Sequence, residues 1–134
     1  MDDVFIARVM SAGVTTVSPE TSVEEAAQMM LSEDIGSVVV VDDEDELLGI
    51  LTTTDFVRIV AERQPKDNST VSEFMTRDVE TAGAQDLVVD VAARLVEERI
   101  HHMPVVDEDD HVIGMVTTTD LTSYVSTLDE HDAE

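Results

Sequence analysis

Two nearly identical heptapeptides carry the residues of this chain that are best suited to bind a small molecule. They are GILTTTD at residues 49–55 and GMVTTTD at residues 114–120, and each places a threonine three residues before an aspartate. An ionised aspartate has two oxygens and about four acceptor sites, enough for both hydroxyls of a ribose. If a helix begins at each threonine, its free N–H groups and its dipole favour a phosphate. The pairs are Thr52 with Asp55 and Thr117 with Asp120.

The same spacing has a second interpretation that needs no ligand. Thr-x-x-Asp resembles a capping box, in which two side chains bond to backbone N–H groups at a helix start, with Asp in place of the usual Glu. A cap of this kind contributes about 1 kcal/mol. Capping and ribose binding are compatible. Unchanged nucleotide affinity in Asp55→Ala and Asp120→Ala variants at high salt would leave capping alone.

The heptapeptides belong to a longer repeat, because Gly49 recurs as Gly114, 65 residues later (114 − 49). The same offset pairs Met10 with Met75, and no gap is needed from residue 10 to residue 57. A repeat of this kind sets the architecture. Each copy, at about 50–55 residues, is too small to bury a core well alone. We therefore expect the copies to pack against each other about a pseudo-two-fold axis.

Hydrophobic spacing and turn residues predict the order β-α-β-β-α in each copy. The β-branched run SVVVV is typical of a strand buried on both faces, and Ser22 is placed to cap the first helix. Short lead-in helices are predicted at 4–10 and 71–75. In the first copy the elements are an extended piece at 14–19, a helix at 21–34, antiparallel strands at 37–42 and 47–52, and a helix at 53–63.

The repeat also predicts the domain boundaries. We expect the first repeat at 1–64, including its lead-in helix, and the second at 71–128. A linker at 65–70 follows from the Pro, Asn and Ser residues near it. The acidic end of the chain, at 129–134, is expected to be a solvated and frayed tail.

Composition indicates a soluble, cytoplasmic protein. Hydrophobic residues make up 43% of the chain, which is enough for a core. No apolar run approaches the roughly 18 residues of a membrane span, and the N-terminus begins with acids rather than with the basic start of a signal peptide. The chain has no cysteine, so disulfides and thiolate chemistry are excluded.

The charge balance is strongly acidic, with 31 Asp and Glu against 7 Lys and Arg, a formal net charge of −24. Such a surface repels the phosphates of nucleic acids and anionic lipids, so neither is expected as a partner. We predict a halophilic, haloarchaeal source, because in molar salt the Debye length falls to about 3 Å and the repulsion is screened. A merely acidic mesophilic protein is the alternative, and unfolding at low salt would separate the two.

Together these features resemble a tandem pair of cystathionine β-synthase (CBS) domains, also called a Bateman module. The matching residues are a V-M entry before the first copy (Val9-Met10) with Phe74-Met75 at the same place before the second, a Thr before the first helix, VVVD or PVVD on a strand, and G-h-h-T-x-x-D, where h is aliphatic. The resemblance covers all but the acidic tail. It implies an α+β (α/β-like) fold of two β-α-β-β-α repeats packed through their sheets, and it implies homodimers. It also implies regulation by AMP, ADP, ATP or S-adenosylmethionine, without catalysis and without a required cofactor.

The resemblance also implies where the ligand binds. The ribose would lie at Asp55 or Asp120, with Thr52 or Thr117 beside it, and the base between the first extended piece and the start of the next strand. That base slot is expected to be formed in the first copy by Thr16, Val17, Gly36, Ser37 and Val38, and in the second by Thr81, Ala82, His101, His102, Met103 and Pro104.

Basic side chains near these sites are few. The family often has H-R-h-P-V where this chain has HHMPV, so His102 replaces an arginine. This departure favours a monophosphate or a thioether-type ligand over a triphosphate, and His102 would be half-charged near pH 6.5 if unperturbed. Arg58 can reach a phosphate or pair with a neighbouring acid. Adjacent histidines in extended chain point to opposite faces, so no metal site is expected.

The sequence and the resemblance thus predict a sensing module that binds an adenosine-containing ligand in the clefts between its two repeats and signals to a separate regulated protein. The alternative is a ligand-free dimerisation or adaptor module, in which the Thr-x-x-Asp motifs serve only as caps. An enzyme is not expected, because the chain lacks cysteine and no nucleophile or paired-carboxylate arrangement is imposed by one helix or turn.

Overall fold

The computed structural model describes residues 4–62 and 69–132, with side chains to residue 128. The chain forms five strands and five α-helices in this part, preceded by a short 3₁₀ helix at Ile6–Arg8. In chain order they are β1 (Thr16–Val17), α1 (Val23–Glu33), β2 (Ser37–Val41), β3 (Leu47–Thr52), α2 (Thr53–Ala61), α3 (Val71–Phe74), α4 (Val88–Glu98), β4 (His102–Val106), β5 (Val112–Thr117) and α5 (Thr118–Asp132).

This order confirms the predicted α+β class and the two β-α-β-β-α copies, with Ala82 making an isolated parallel bridge to Val105 where the second copy repeats β1. Helix α5 runs to Asp132, four residues beyond its predicted end. The residues from 129 to 132 include no Gly or Pro that would end the helix earlier. Of the predicted linker, Ser69 and Thr70 are described and the rest lies outside the described residues. The helices of the described part are too short or too polar to cross a bilayer.

The chain divides into two compact units, and each unit combines segments that are separated in the sequence. The first-copy unit comprises Val14–Val79 with Asp109–His111, and the second-copy unit comprises Glu80–Glu108 and Val112–Glu134 with Met1–Gly13. The N-terminal segment therefore belongs to the unit of the second copy. Backbone hydrogen bonds hold it there, from the Ile6 N–H to the Asp86 carbonyl at 2.8 Å and others of similar length.

The first-copy unit is built on a three-stranded sheet in the order β1-β2-β3. Strand β1 runs parallel to β2, and β2 pairs antiparallel with β3, placing Ser37 opposite Thr52. All five residues of β2 are buried, as the β-branched run predicts for a strand covered on both faces. The core is made by side chains of the strands, α1 and the segment at 71–75: Val17, Ala26, Met30, Val38, Val40, Leu51, Val71 and Met75.

The second-copy unit repeats this plan with β4 and β5 as an antiparallel pair that places His102 opposite Thr117. Its core draws on the strands, on α4 and on Ile6 of the N-terminal segment, whose side chain is fully buried. Leu121 and Tyr124 of α5 pack against the cluster while remaining half-buried. The buried members are Ile6, Ala82, Val88, Val91, Leu95, Met103, Val105 and Val116.

Backbone irregularities recur at the offset of 65 residues. Helices α1 and α4 end at Asp34 and Arg99, both in the left-handed conformation with φ of 54° and 57°. Few residues other than glycine adopt this conformation, although it is a common way to end a helix. The pairing register also shifts at the same place in both copies, after Val40 and after Val105. The repeat is therefore present in detailed geometry as well as in residue type.

The glycine of each heptapeptide makes room for the methionine that ends a lead-in segment. A Cβ on Gly49 would lie 2.7 Å from the Sδ of Met75, and one on Gly114 would lie 2.5 Å from the Sδ of Met10. Each methionine thus packs on the heptapeptide of the copy that lies in its own compact unit. Because Met10 precedes the first copy but packs on the second, the lead-in segments are exchanged relative to the sequence repeats.

Candidate functional site at the two helix starts

Helix α2 begins with a complete capping box. The Thr52 hydroxyl accepts a hydrogen bond from the Asp55 N–H at 3.4 Å, and the Asp55 Oδ2 accepts from the Thr52 N–H at 2.8 Å. The Thr52 hydroxyl also lies 3.2 Å from the same Oδ2 and donates to it. Capping, the alternative that the spacing left open, is therefore present at this helix start.

The other oxygen of Asp55 is taken by a cation. Arg58 Nη1 donates to Asp55 Oδ1 at 3.1 Å, and the carboxylate is buried, with 6% of the residue exposed. The arginine side chain is 59% exposed. Arg58 therefore pairs with a neighbouring acid, which is one of the two roles expected for it. An ion pair with so exposed a partner contributes only about 0–1 kcal/mol.

Helix α5 begins in the same way. The Thr117 hydroxyl accepts from the Asp120 N–H at 3.0 Å, and Asp120 Oδ2 accepts from the Thr117 N–H at 2.9 Å. The Oδ1 of Asp120 accepts a long bond from the Ser11 hydroxyl, at 3.3 Å. Asp120 is half-buried, and the position that matches Arg58 is Ser123. This carboxylate is therefore less completely satisfied than that of Asp55.

The start of one strand lies beside each helix start. The Thr53 N–H donates to the Gly36 carbonyl at 3.1 Å, and in the second copy the Thr118 N–H donates to the His101 carbonyl at 3.1 Å. The register already places Ser37 beside Thr52 and His102 beside Thr117. Within each unit, the structure thus brings the threonine–aspartate pair together with the predicted residues at the start of the strand.

The pKa of the His102 imidazole is lowered from its usual value. Burial lowers the pKa of the half-buried imidazole, the neighbouring His101 lowers it further, and the charge of Asp120 partly offsets both. At pH 7 the ring is therefore an uncharged hydrogen-bonding group. An unperturbed imidazole would be half-charged near pH 6.5. The pKa of His102 lies below that value, because desolvation outweighs the effect of the nearby carboxylate.

Several predicted base-slot residues have side chains in the core. Val17 and Val38 belong to the core of the first-copy unit, and Ala82 and Met103 to that of the second. Pro104 is also fully buried. The side chains of these residues therefore contribute to the cores of the two units.

Thr16 and Thr81 lie next to the second strand of their copies. Thr16 pairs with Val39 in a parallel register, and the Thr81 carbonyl accepts a hydrogen bond from Arg94 Nη2 at 2.9 Å. Arg94 also bonds to Glu80 Oε1 at 2.9 Å, which fixes the backbone of the predicted base slot.

Sequence reasoning did not find Ser11 or Arg94. Ser11 could have been noticed because it directly follows Met10, as Thr76 follows Met75. Arg94 is one of only seven basic residues and lies on a helix that was treated as purely structural.

The fold and the paired helix starts define a tandem repeat of two β-α-β-β-α units. The chain belongs to the CBS domain family, whose model matches residues 6–62 and 71–127. CBS domain pairs are in general regulatory modules.

Two relatives illustrate how the pair occurs in longer chains. The chain is 33% identical over 136 residues to protein MK0525 of Methanopyrus kandleri, covering 97% of this chain and 69% of that protein. It is 30% identical over 126 residues to a homoserine O-acetyltransferase of Methanococcus vannielii, covering 94% of this chain. The match spans 26% of that enzyme, so the similarity lies in about a quarter of its length.

Among solved structures, the fold matches the CBS domain pair of protein MJ0100 with a TM-score of 0.86 and 29% identity. The match covers 92% of this chain and 97% of that one. The MJ0100 pair was solved in complex with 5′-methylthioadenosine and S-adenosyl-L-methionine.

Proposed function

We propose that this protein is a regulatory module that binds an adenosine-containing small molecule at its Thr-x-x-Asp helix starts. The carboxylate would accept hydrogen bonds from the ribose hydroxyls, while the helix start and the adjoining strand hold the rest of the ligand. The similarity to the MJ0100 pair supports adenosine as the shared part of the ligand, because that protein binds two adenosine compounds.

The observation that carries the proposal is the hydrogen bonding of the two carboxylate oxygens of Asp120. Its Oδ2 is used for capping, whereas Oδ1 accepts one long bond, from Ser11, among the described residues. A carboxylate has about four acceptor sites, so this one retains capacity for a diol. Thr117 and the neutral His102 lie beside it and add further hydrogen-bonding groups.

Signalling would follow from the ligand favouring one arrangement of the module over another. We propose a homodimer in contact with a separate regulated protein, in a cytoplasm of high salt. Apolar side chains exposed at matching positions of both copies support such contacts: Leu31 and Val96 on the first helix, and Val60 and Val125 on the last. Each is more than half exposed, as is typical of residues awaiting a partner.

One observation favours the alternative of a ligand-free adaptor. The capping bonds at both helix starts join groups of the protein only. The motif therefore has a structural role that would maintain it even if no nucleotide were bound, and binding measurements must separate the two roles.

The test is binding of AMP, S-adenosylmethionine and 5′-methylthioadenosine in about 1 M KCl, measured by thermal shift and calorimetry. At 100 times the dissociation constant, a ligand should add about 2.7 kcal/mol of stability. Asp120→Ala should weaken binding by about 10- to 100-fold, since hydrogen bonds to a charged group contribute about 1.5–3 kcal/mol.

Two further variants separate ribose binding from capping. Thr117→Val removes the hydroxyl cap but keeps the carboxylate, so affinity should change much less than in Asp120→Ala. Asp120→Asn keeps an acceptor for the Thr117 N–H but replaces one acceptor oxygen by a donor. If none of the three ligands binds the wild-type protein, the adaptor function is the correct one. If a ligand binds but both Asp120→Ala and Asp55→Ala bind it as the wild type does, the carboxylates do not hold the ribose and the Thr-x-x-Asp motifs serve only as caps.

A further inference from the structure

We propose that residue 58 and its counterpart 123 make the two helix starts selective for different adenosine ligands. Arg58 restricts the first-copy site to ligands that carry a phosphate, and Ser123 leaves the second-copy site to ligands without one. The inference rests on the proposed function, because it concerns ligand choice at the same carboxylates.

In the first copy, every oxygen that a ribose would need is already engaged. Asp55 Oδ2 accepts from the N–H and the hydroxyl of Thr52, and Oδ1 accepts from Arg58 at 3.1 Å. Only 6% of Asp55 is exposed. A ribose diol can therefore reach Oδ1 only if the guanidinium moves away or shares that oxygen.

A phosphate supplies a reason for Arg58 to move. The Arg58 side chain is 59% exposed, so its ion pair with Asp55 contributes little and costs little to break. Arg–phosphate contacts are often bidentate and stronger than bonds between neutral groups. A phosphate-bearing ligand thus exchanges one contact of Arg58 for a better one and frees Oδ1 for its ribose. An uncharged ligand offers no such exchange.

The second-copy site should instead favour ligands without a phosphate. Ser123 brings no charge to the helix start, and Asp120 Oδ1 is covered only by a 3.3 Å bond from the Ser11 hydroxyl among the described residues. A diol can displace a hydroxyl without separating charges. The carboxylate repels a nearby phosphate and attracts a cation, so the site should prefer an uncharged thioether or a cationic sulfonium to a phosphate.

Reciprocal exchange of the two residues tests the inference. In an Asp120→Ala background, which leaves the first site, Arg58→Ser should weaken AMP about tenfold and strengthen 5′-methylthioadenosine. In an Asp55→Ala background, which leaves the second site, Ser123→Arg should shift the ratio of the two affinities toward AMP by a similar factor. Affinities are measured by calorimetry in about 1 M KCl.

Two controls accompany the exchange. Arg77→Ser removes the same charge from an exposed arginine that bonds to the Ser72 carbonyl, and it should leave the ratio unchanged. Arg58→Lys keeps the charge without the bidentate fork and should give an intermediate ratio. Thermal melts confirm that each variant folds, and Asp→Asn backgrounds replace Asp→Ala where they do not.

The outcomes distinguish this inference from the proposed function. If the wild type binds none of AMP, 5′-methylthioadenosine and S-adenosylmethionine, both fail. If the wild type binds one of them but Arg58→Ser leaves the affinity ratio unchanged in the first site, only the selectivity is wrong. A reciprocal shift in the two backgrounds, absent in Arg77→Ser, supports it.

Discussion

The two helix starts share the sequence Thr-Thr-Thr-Asp but differ in what surrounds the carboxylate. Asp55 is buried and is bonded on both oxygens, by Thr52 and by Arg58. Asp120 is half-buried and has one oxygen that meets only a long bond from Ser11 among the described residues. The difference comes from residue 58 against 123 on the helix and from a serine 109 positions away. An identical motif therefore does not ensure identical chemistry.

A second difference concerns how tightly a lead-in segment is packed against each heptapeptide. At Gly49 an added Cβ would meet the backbone carbonyl of Thr76 at 2.8 Å, in addition to the Met75 side chain. At Gly114 the nearest backbone atom, the Ser11 carbonyl, is 3.1 Å away, and the closest contact is the flexible end of Met10. A side chain added at Gly114 should therefore destabilise the protein less than one added at Gly49.

The largest expected effect is from filling these glycines. Gly49→Ala should lower the free energy of unfolding by about 3 kcal/mol and Gly114→Ala by about 1–2 kcal/mol, because a backbone atom cannot move aside as a methionine can. Urea unfolding in about 1 M KCl measures both.

Gly83→Ala is the control for these variants. Its Cβ would have no neighbour nearer than 3.6 Å, so stability should hardly change. If Gly49→Ala and Gly114→Ala lowered the free energy of unfolding equally, the two lead-in segments would be packed equally tightly, and the two copies would not differ in this respect.

A smaller effect is expected from the caps. Thr52→Val should cost about 1–2 kcal/mol and Thr117→Val about 1 kcal/mol. The first loss is larger because the Thr52 hydroxyl also donates to buried Asp55, which would lose one of its partners. The same unfolding experiment provides the measurement.

The middle threonines of the two motifs serve as matched controls for the caps. Thr54 and Thr119 are exposed, so replacing either by Val should change stability little. A larger loss in Thr117→Val than in Thr52→Val would mean that the second carboxylate, rather than the first, depends more on its threonine.

The smallest effect is expected from pH, through His102 of the second copy. Burial lowers the pKa of His102 in the folded protein. Between that pKa and the usual value near 6.5, the unfolded chain binds more protons. The stability contribution is therefore complete above about pH 6.5 and decreases as the pH falls below it.

His102→Ser places the residue of the first copy, Ser37, in the second. This variant should lose less stability than the wild type between about pH 7 and about pH 5.5 in thermal melts. The carboxylates of the surface titrate in both proteins and cancel in the difference. Identical pH profiles would contradict the burial of a neutral imidazole.

Much of the fold could be predicted because it depends on local rules. Ser22 caps α1 as its type and position indicate, with its hydroxyl accepting from the Glu25 N–H at 3.0 Å. The buried run of β2 and the antiparallel pairing with β3 follow from β-branched residues and a polar turn. The capping roles of Thr52 and Thr117 likewise depend on a spacing of three residues, which the sequence displays directly.

What the sequence by itself determined was the repeat, the order of its elements and the two carboxylates that define the candidate sites. Tertiary structure alone decided that Met10 packs on Gly114 and that the Ser11 hydroxyl donates to Asp120. It also decided that the His102 side chain is desolvated by burial. The two contacts join residues 104 (114 − 10) and 109 positions apart in sequence, and the third feature depends on burial. Local patterns carry information on neighbours within a few residues, whereas the partners of a buried or distant group are known only once the chain has packed.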